Sequence, residues 1–592
     1  MNLHTPPGFT MTLQALAAAY ADGLSPEDVI ATVLDRIAAV DDPAIFLHLA
    51  DRDALMAEAR ALGRHDPARP LWGVPFAVKD NIDVAGMPTT AACPAFAYTP
   101  ERDAFVVARL RAAGAIPVGK TNLDQFATGL VGMRSPYGVP RNALDPEIVP
   151  GGSSSGSAVA VAQGIVPFAL GTDTAGSGRV PAALNGIVGL KPTLGALSAT
   201  GLVPACRTLD TISVFAHSVG ETYAVLRAAA AFDAEDAFSR PVTVPPMPAP
   251  LPAPRIVAPD AGSLVFCGDT VQAADFEATL ARLAASGARI ERVDFTPFFD
   301  VANMLYEGAW VAERYAAIET MMTTSPEAIH PVTRAIIARA ETLGAVDAFR
   351  GLYRLQELRR AVAPILDAAD MLCVPSIPTF YSRADLEADP VTANANLGTY
   401  TNFVNLLDLC ALAVPTGPRR DGRPGSVTLI ARAGRDGLLA AEGARLADGR
   451  GLPPAEVGPD ESVLAVCGAH MAGLPLNAQL TDRGARFLRE ARTAEGYRLF
   501  ALPGGPPERP GLVRDASGAG RIRLELWALP AAEVGGFLGT VPAPLSIGTI
   551  RLEDGGSAQG FLCETAATPG ATDITGHGGW RVWLDRRQPA RA

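Results

Sequence analysis

The chain has 592 residues, 48% of them hydrophobic and 19% charged, an ordinary balance for a soluble enzyme with a sizeable core. Its formal net charge of −12 argues against a nucleic-acid surface but leaves room for a small anionic substrate held by one arginine. Seven widely scattered cysteines, an odd count with no CxxC pair, fit reduced cytosolic thiols better than a disulfide framework, and seven scattered histidines lack the spacing of a metal site.

The opening residues, Met1-Asn2-Leu3-His4-Thr5-Pro6-Pro7, do not read as a signal peptide. Residues 12–40 carry helical periodicity, and Ser25-Pro26-Glu27-Asp28 reads as an N-cap with proline and acids in the first turn. Short apolar strands at 75–78, 116–118 and 167–170 alternate with helices, which predicts an α/β layer with a mixed sheet. The apolar stretch 158–170 is interrupted by Gln163, Gly164 and Pro167. It is too short and broken to cross a membrane, and reads as a buried helix leading into a strand.

Residues 241–254 hold seven prolines in fourteen positions and predict a stiff, exposed connection, followed by a βα-like stretch from Arg255. Helices return over 300–368. A Gly/Pro-rich boundary falls at 446–460, and the texture then changes to short strands at 463–467, 497–502, 521–529, 547–552 and 580–584, with few helical stretches, such as 477–491. The division expected is 1–445, a linker at 446–460, and a second domain at 461–592. The chain shows no internal repeat and no Ala-Met-Lys-Met biotin-attachment site.

Two Gly/Ser-rich loops carry the chemistry. The first is Pro150-Gly151-Gly152-Ser153-Ser154-Ser155-Gly156-Ser157. The second is Gly171-Thr172-Asp173-Thr174-Ala175-Gly176-Ser177-Gly178-Arg179-Val180-Pro181. Ser153 and Ser177 lie 24 residues apart, and Lys79 precedes Ser153 by 74 at the end of an apolar run. A serine hydroxyl needs a base, and neither loop contains histidine. Lysine serves only when neutral, which at pH 7 costs about 4–5 kcal/mol unless burial lowers its pKa. Ser153 would then relay a proton between Lys79 and Ser177. The backbone N–H groups of Thr174, Ala175, Gly176 and Ser177 suit an oxyanion hole.

This Lys-Ser-Ser set resembles that of the amidase signature family, which implies a hydrolase of linear amides with no metal and no cofactor. The implied fold is α/β: an amidase-signature fold with a mixed β-sheet core surrounded by helices, plus a small C-terminal α+β barrel-like domain. Position 178 is glycine where the general pattern favours an aliphatic residue, which would open space beside the nucleophile or mark a subfamily.

The segment Leu305-Tyr306-Glu307-Gly308-Ala309-Trp310-Val311-Ala312-Glu313-Arg314-Tyr315-Ala316 resembles that of allophanate hydrolases, as do Gly178 and the tail Val466-Cys467-Gly468-Ala469-His470-Met471. The resemblance implies that Tyr306 and Arg314 bind the substrate carboxylate. Their spacing, just over two helical turns, allows both on one helix face. The competing reading makes them an ordinary helix face with Glu307 and Glu313 as ion-pair partners. The resemblance further implies that Gly132 and Met133 lie where amidases contact the acyl part of the substrate. Asp173 and Arg179 would brace the nucleophile turn. His470 would handle product in a second domain resembling γ-glutamylcyclotransferase.

The expected activity is hydrolysis of allophanate to ammonia and N-carboxycarbamate, which loses carbon dioxide. The implied setting is a cytoplasmic homodimer with no nucleic-acid or membrane partner, supplied by a separate biotin-dependent urea carboxylase and serving urea or s-triazine breakdown. The alternatives are an amidase for biuret or an aryl amide, one component of a tRNA-dependent amidotransferase, or a non-catalytic scaffold.

Overall fold

The computed structural model describes residues 11–448, 454–518 and 520–587. The opening heptapeptide and the Gly/Pro-rich stretch 449–453 lie outside these. The chain divides into two compact units. One comprises Met1–Val244, Ile256–Ala285 and Ile290–Gly449; the other comprises Pro245–Arg255, Ser286–Arg289 and Arg450–Ala592.

The first unit is built on a mixed sheet of eleven strands: β1 (Phe46–Leu49), β2 (Pro75–Lys79), β3 (Ile116–Thr121), β4 (Phe168–Asp173), β5 (Val188–Lys191), β6 (Thr211–Ala216), β7 (Arg255–Pro259), β8 (Arg289–Val293), β9 (Met371–Pro375), β10 (Leu409–Pro418) and β11 (Pro424–Arg432). Their order is β1-β3-β2-β4-β6-β5-β10-β11-β9-β7-β8. β2 runs parallel to both β3 and β4, and every one of its residues is buried. A strand flanked on both edges and covered on both faces needs a continuous apolar run, which Pro75–Val78 supplies. Lys79 closes that run and is carried into the interior with it.

Helices Ser155–Ala162, Val219–Ala229 and Asp436–Asp448 pack on this sheet. The predicted N-terminal helical region forms two helices, Leu13–Ala21 and Pro26–Val40. The Ser25 side chain accepts the Asp28 N–H and starts the second. Five α-helices and two short 3₁₀ turns fill 296–368. Asp436–Asp448 extends three residues into the segment read as a linker.

The second unit contains a sheet of β12 (Glu461–Val466), β13 (Arg486–Arg492), β16 (Arg523–Pro530), β17 (Leu545–Arg551) and β18 (Ser557–Cys563), ordered β13-β16-β12-β18-β17. A smaller sheet joins β14 (Tyr497–Leu502), β15 (Arg509–Arg514) and β19 (Thr572–Asp573), ordered β15-β14-β19.

Three local expectations are corrected. The proline-rich 241–254 is mostly half-buried, not exposed. Pro248, Leu251 and Pro254 are buried, and the Ala249 N–H donates to the Phe487 carbonyl at 3.0 Å. The stretch 477–491 is helical only at Ala478–Thr481, because Gly484 turns left-handed (φ +78°) and the chain re-enters the sheet as β13. The segment 580–584 is the start of a helix, Trp580–Arg587, not a strand. Trp580 is buried and its neighbour Arg581 reaches Glu525 Oε1 at 2.6 Å, whereas a strand would send these two side chains to opposite faces.

Candidate active site

Lys79 Nζ donates to Ser153 Oγ at 2.7 Å and to Thr172 Oγ1 at 2.6 Å. The lysine is fully buried, and loss of hydration lowers its pKa to about 7 against the opposing pull of Asp124, Asp210 and Asp173. A substantial neutral fraction therefore exists at neutral pH. The two loops that meet at this lysine are stitched together: Ser154 Oγ donates to the Thr172 carbonyl at 3.1 Å and accepts the Thr172 N–H at 3.2 Å.

Ser177, 2% exposed, sits on the turn between β4 and helix Val180–Leu184. The buried Asp173 carboxylate braces the turn by accepting the Gly178 N–H (3.0 Å), Arg179 Nε (2.9 Å) and Arg179 Nη2 (2.8 Å). Burial alone would raise the Asp173 pKa; Arg179 outweighs it and holds the carboxyl below its usual range. Arg179 Nη1 in turn donates to the Thr401 carbonyl at 3.1 Å. Among the described residues, the N–H groups of Thr174, Ala175, Gly176 and Ser177 meet no protein acceptor. Four neighbouring unused donors suit a developing negative charge.

Gly178 opens no space. A Cβ there would stand 2.6 Å from Ser213 Cβ and 2.8 Å from Ser213 Oγ. Ser213 on β6 fills the volume that an aliphatic residue at 178 would take.

Tyr306 and Arg314 lie on two helices, Thr296–Glu307 and Trp310–Ala317, separated by a break at Gly308 and Ala309. The one-helix expectation is therefore corrected, yet the pair still meets: the Arg314 guanidinium carbon is 5.0 Å from the Tyr306 ring centre. Arg314 is 1% exposed and donates through Nη1 to Thr128 Oγ1 at 3.3 Å, while its Nε and Nη2 have no protein partner. Burial disfavours its charge, but Cys206, Tyr306, Asp210 and Glu313 outweigh this and raise its pKa. The ion-pair alternative finds no support: among the described residues Glu313 accepts instead from Thr208, at 2.8 Å from both the N–H and the hydroxyl.

Gly132 and Met133 belong to a loop wrapped around Asp124, whose carboxylate accepts the N–H groups of Val131 (3.2 Å), Gly132 (2.9 Å) and Arg134 (2.9 Å). Gly132 is left-handed (φ +74°), and a Cβ there would meet the Gly151 carbonyl at 2.6 Å and Ser155 Cβ at 2.7 Å. This loop and the Ser153 loop pack directly on each other. Met133 and Tyr306 are both half-buried against one apolar cluster.

Four residues at this site were not singled out from the sequence: Thr172, Asp124, Thr128 and Asp210. Asp210 is buried and has a pKa raised to about 6 by burial. It accepts the Thr174 hydroxyl and the N–H groups of Ala205 (2.8 Å) and Cys206 (3.1 Å). Thr172 stands inside the second loop motif and was readable there. Asp124, Thr128 and Asp210 are isolated polar residues with no local spacing signal.

His470 belongs to the second unit. It is half-buried, stacks on Phe561 with 4.8 Å between ring centres, and pairs through Nε2 with Gln479 Oε1 at 3.0 Å. It lines a cavity of about 140 Å³ together with Cys467, Gln479, Arg509, Thr540 and Phe561. Burial lowers its pKa, partly offset by Gln479, so its neutral form is favoured. Among the described residues no cluster of three or more His, Cys, Asp or Glu is arranged to hold a metal ion, and no helix is long and apolar enough to cross a membrane. All seven cysteines are free.

A mixed sheet that buries a lysine against a serine hydroxyl, beside two Gly/Ser-rich turns, is the architecture of an amidase. The family model described as Amidase matches residues 28–440, and the chain belongs to that family. A second model, described as Allophanate hydrolase C-terminal domain, matches residues 462–585. Among solved structures the chain resembles the selenomethionine-substituted allophanate hydrolase of Kluyveromyces lactis. The TM-score is 0.77 at 39% identity, covering 98% of this chain and all of that one. Among curated relatives it is 44% identical to the urea amidolyase of Saccharomyces cerevisiae over 547 residues, 87% of this chain. It spans only 30% of that relative's length. It is 36% identical to a glutamyl-tRNA(Gln) amidotransferase subunit of Mycolicibacterium gilvum over 490 residues, 74% of this chain and 98% of the relative.

Proposed function

We propose that this chain hydrolyses allophanate, urea-1-carboxylate, to ammonia and N-carboxycarbamate. The observation that carries this reading is the buried Arg314, whose Nε and Nη2 are without protein partners. Those two nitrogens form the side edge of the guanidinium, the edge that grips a carboxylate through two parallel bonds. A buried cation with two idle donors is costly, and a carboxylate ligand removes that cost. Tyr306 holds the guanidinium by its ring face.

In this reading neutral Lys79 takes the Ser177 proton through Ser153. Ser177 Oγ attacks the terminal ureido carbonyl, and its oxygen becomes an oxyanion held by the N–H groups of Thr174, Ala175, Gly176 and Ser177. The carbon–nitrogen bond breaks and the proton returns on the departing ammonia. Water, deprotonated by the same relay, releases N-carboxycarbamate from the serine. Gly132 and Met133 form the wall along the planar acyl part. Loss of carbon dioxide from N-carboxycarbamate gives net products of ammonia and carbon dioxide, with His470 handling that product in the second unit.

The same reading takes 1–445 as the amidase domain, 446–460 as a link, and 461–592 as a second domain of γ-glutamylcyclotransferase type. It places the protein in the cytoplasm as a homodimer, fed by a biotin-dependent urea carboxylase. The likeness to part of a urea amidolyase supports that supply. The test is ammonia release from allophanate, biuret, urea and glutamine side by side. Allophanate should lead by a wide margin. Glutamine in first place would favour an amidotransferase, and biuret in first place a neutral-amide hydrolase.

A further inference from the structure

The helix that carries Arg314 is short, and the break at Gly308 and Ala309 uncouples its direction from the helix before it. It packs on the neighbouring helices Thr296–Glu307 and Pro331–Ala338, and the loop 203–210 ties it by hydrogen bonds. Cys206 Sγ donates to the Trp310 carbonyl at 3.6 Å, and Thr208 gives both its N–H and its hydroxyl to the Glu313 carboxylate, each at 2.8 Å. The same loop is tied to the nucleophile turn. Asp210 accepts the Thr174 hydroxyl, and Asn405 Nδ2 donates both to the Asp173 carbonyl (2.8 Å) and to the Leu209 carbonyl (3.0 Å). Its first residue is fixed beside the base: the Val203 N–H donates to the Asn81 carbonyl at 2.8 Å, and Asn81 Nδ2 donates back to the Val203 carbonyl at 3.2 Å. One loop of eight residues therefore joins the strand end bearing Lys79, the turn bearing Ser177, and the helix bearing Arg314.

We infer that loop 203–210 is a ruler for substrate length, and that Thr208 and Glu313 are positioning residues that set the reach from Arg314 to Ser177. This rests on Arg314 receiving the substrate carboxylate. The clamp acts on geometry: the two bonds to Thr208 add to the packing that sets where helix Trp310–Ala317 lies, and with it the carboxylate end of the site. The Glu313 charge acts in the opposite sense on an anionic substrate, because a carboxylate near the site repels another. Removing that charge would by itself improve allophanate binding. Losing the clamp worsens it.

The test compares Glu313→Ala, Glu313→Gln and Thr208→Val in the full chain. Three substrates are used: allophanate, neutral biuret of the same length, and N-carbamoylglycine, which is one methylene longer. Thr208 is exposed and Glu313 half-buried, so thermal unfolding should change little. With a hydrogen bond to a charged group at stake, Glu313→Ala should raise the allophanate KM by roughly 10-fold while leaving kcat and biuret turnover within about twofold. Thr208→Val keeps the charge and one bond, and should give a smaller rise of the same kind. Glu313→Gln keeps one acceptor oxygen for the Thr208 N–H, turns the second position into an amide donor and removes the charge, so its allophanate KM should stay at or below that of the parent. In Glu313→Ala the preference for allophanate over N-carbamoylglycine should narrow. A lower allophanate KM in Glu313→Ala, or equal losses on allophanate and biuret, overturns the ruler. Arg314→Ala run alongside separates the two ideas. Selective loss of allophanate turnover there, with unchanged clamp variants, sinks the ruler alone. Equal loss on all three substrates sinks the reading of Arg314 and the ruler with it.

Discussion

Arg314 stacks on Tyr306 across a helix break, with its guanidinium carbon 5.0 Å from the ring centre. The ring face attracts the cation, while Thr128 takes one Nη1 bond. The side edge, Nε and Nη2, is left for a ligand. Arg314→Ala should therefore cost allophanate turnover about 10- to 200-fold in kcat/KM, the worth of a charged hydrogen bond, with a much smaller effect on biuret. Steady-state kinetics on both substrates checks this. Equal losses would make Arg314 a structural residue.

The base should show itself in pH dependence. Lys79 has a pKa lowered to about 7, and only its neutral form can take a proton. The neutral fraction grows as pH rises, so kcat/KM should climb through an apparent pKa near that value and, at one unit below it, stand at about a tenth of its plateau. Lys79→Arg should be inactive, because arginine does not deprotonate. An active arginine variant, or a flat profile from pH 5 to 9, removes lysine from the relay.

Deleting the nucleophile is the simplest cut. Ser177→Ala removes one oxygen from a braced turn, so the unfolding temperature should stay near that of the parent while ammonia release vanishes. A serine-reactive inhibitor should label Ser177 by mass spectrometry. Labelling of Ser153, or substantial residual activity, reverses the assignment of the two serines.

Gly178→Ala tests the packing beside the nucleophile. The new Cβ would press on Ser213 at 2.6–2.8 Å, an overpacking of roughly 1–3 kcal/mol. Thermal unfolding should shift down and activity fall. Ser213→Gly in the same chain should recover most of both. Failure of that second change to help would place the strain elsewhere.

His470→Ala should leave ammonia release from allophanate unchanged and delay carbon dioxide behind it. Carbon-13 NMR of labelled allophanate resolves the two events. N-carboxycarbamate also decomposes unaided, so the delay should lengthen as pH rises and carbamates persist. Identical carbon dioxide kinetics in parent and variant would falsify a role for His470 in handling the product.

The sequence by itself determined whatever depends on neighbours along the chain. Ser25 caps its helix because the acceptor and the N–H it needs are three residues apart. β2 is a buried strand because Pro75–Val78 is an unbroken apolar run, and Lys79 goes inside because it ends that run. The Gly/Ser loops exposed Ser153 and Ser177 as candidates for the same local reason. Tertiary structure alone decided the rest. Thr128 and Arg314 are 186 positions apart, and Asp210 and Thr174 are 36 apart; isolated threonines and aspartates carry no periodicity that would link them. The spacing of Tyr306 and Arg314 suggested one helix face, but the two stand on separate helices and meet across the break at Gly308 and Ala309. The segment 580–584 read as one of a series of short strands between turns, yet it forms the start of a helix in which Trp580 is buried and Arg581 pairs with Glu525. Glycine at 178 left two readings, open space or a subfamily mark, and the first fell once β6 brought Ser213 beside it. Local propensity is a property of a few adjacent residues; which distant side chain fills a gap or completes a charge is settled by packing of the whole fold.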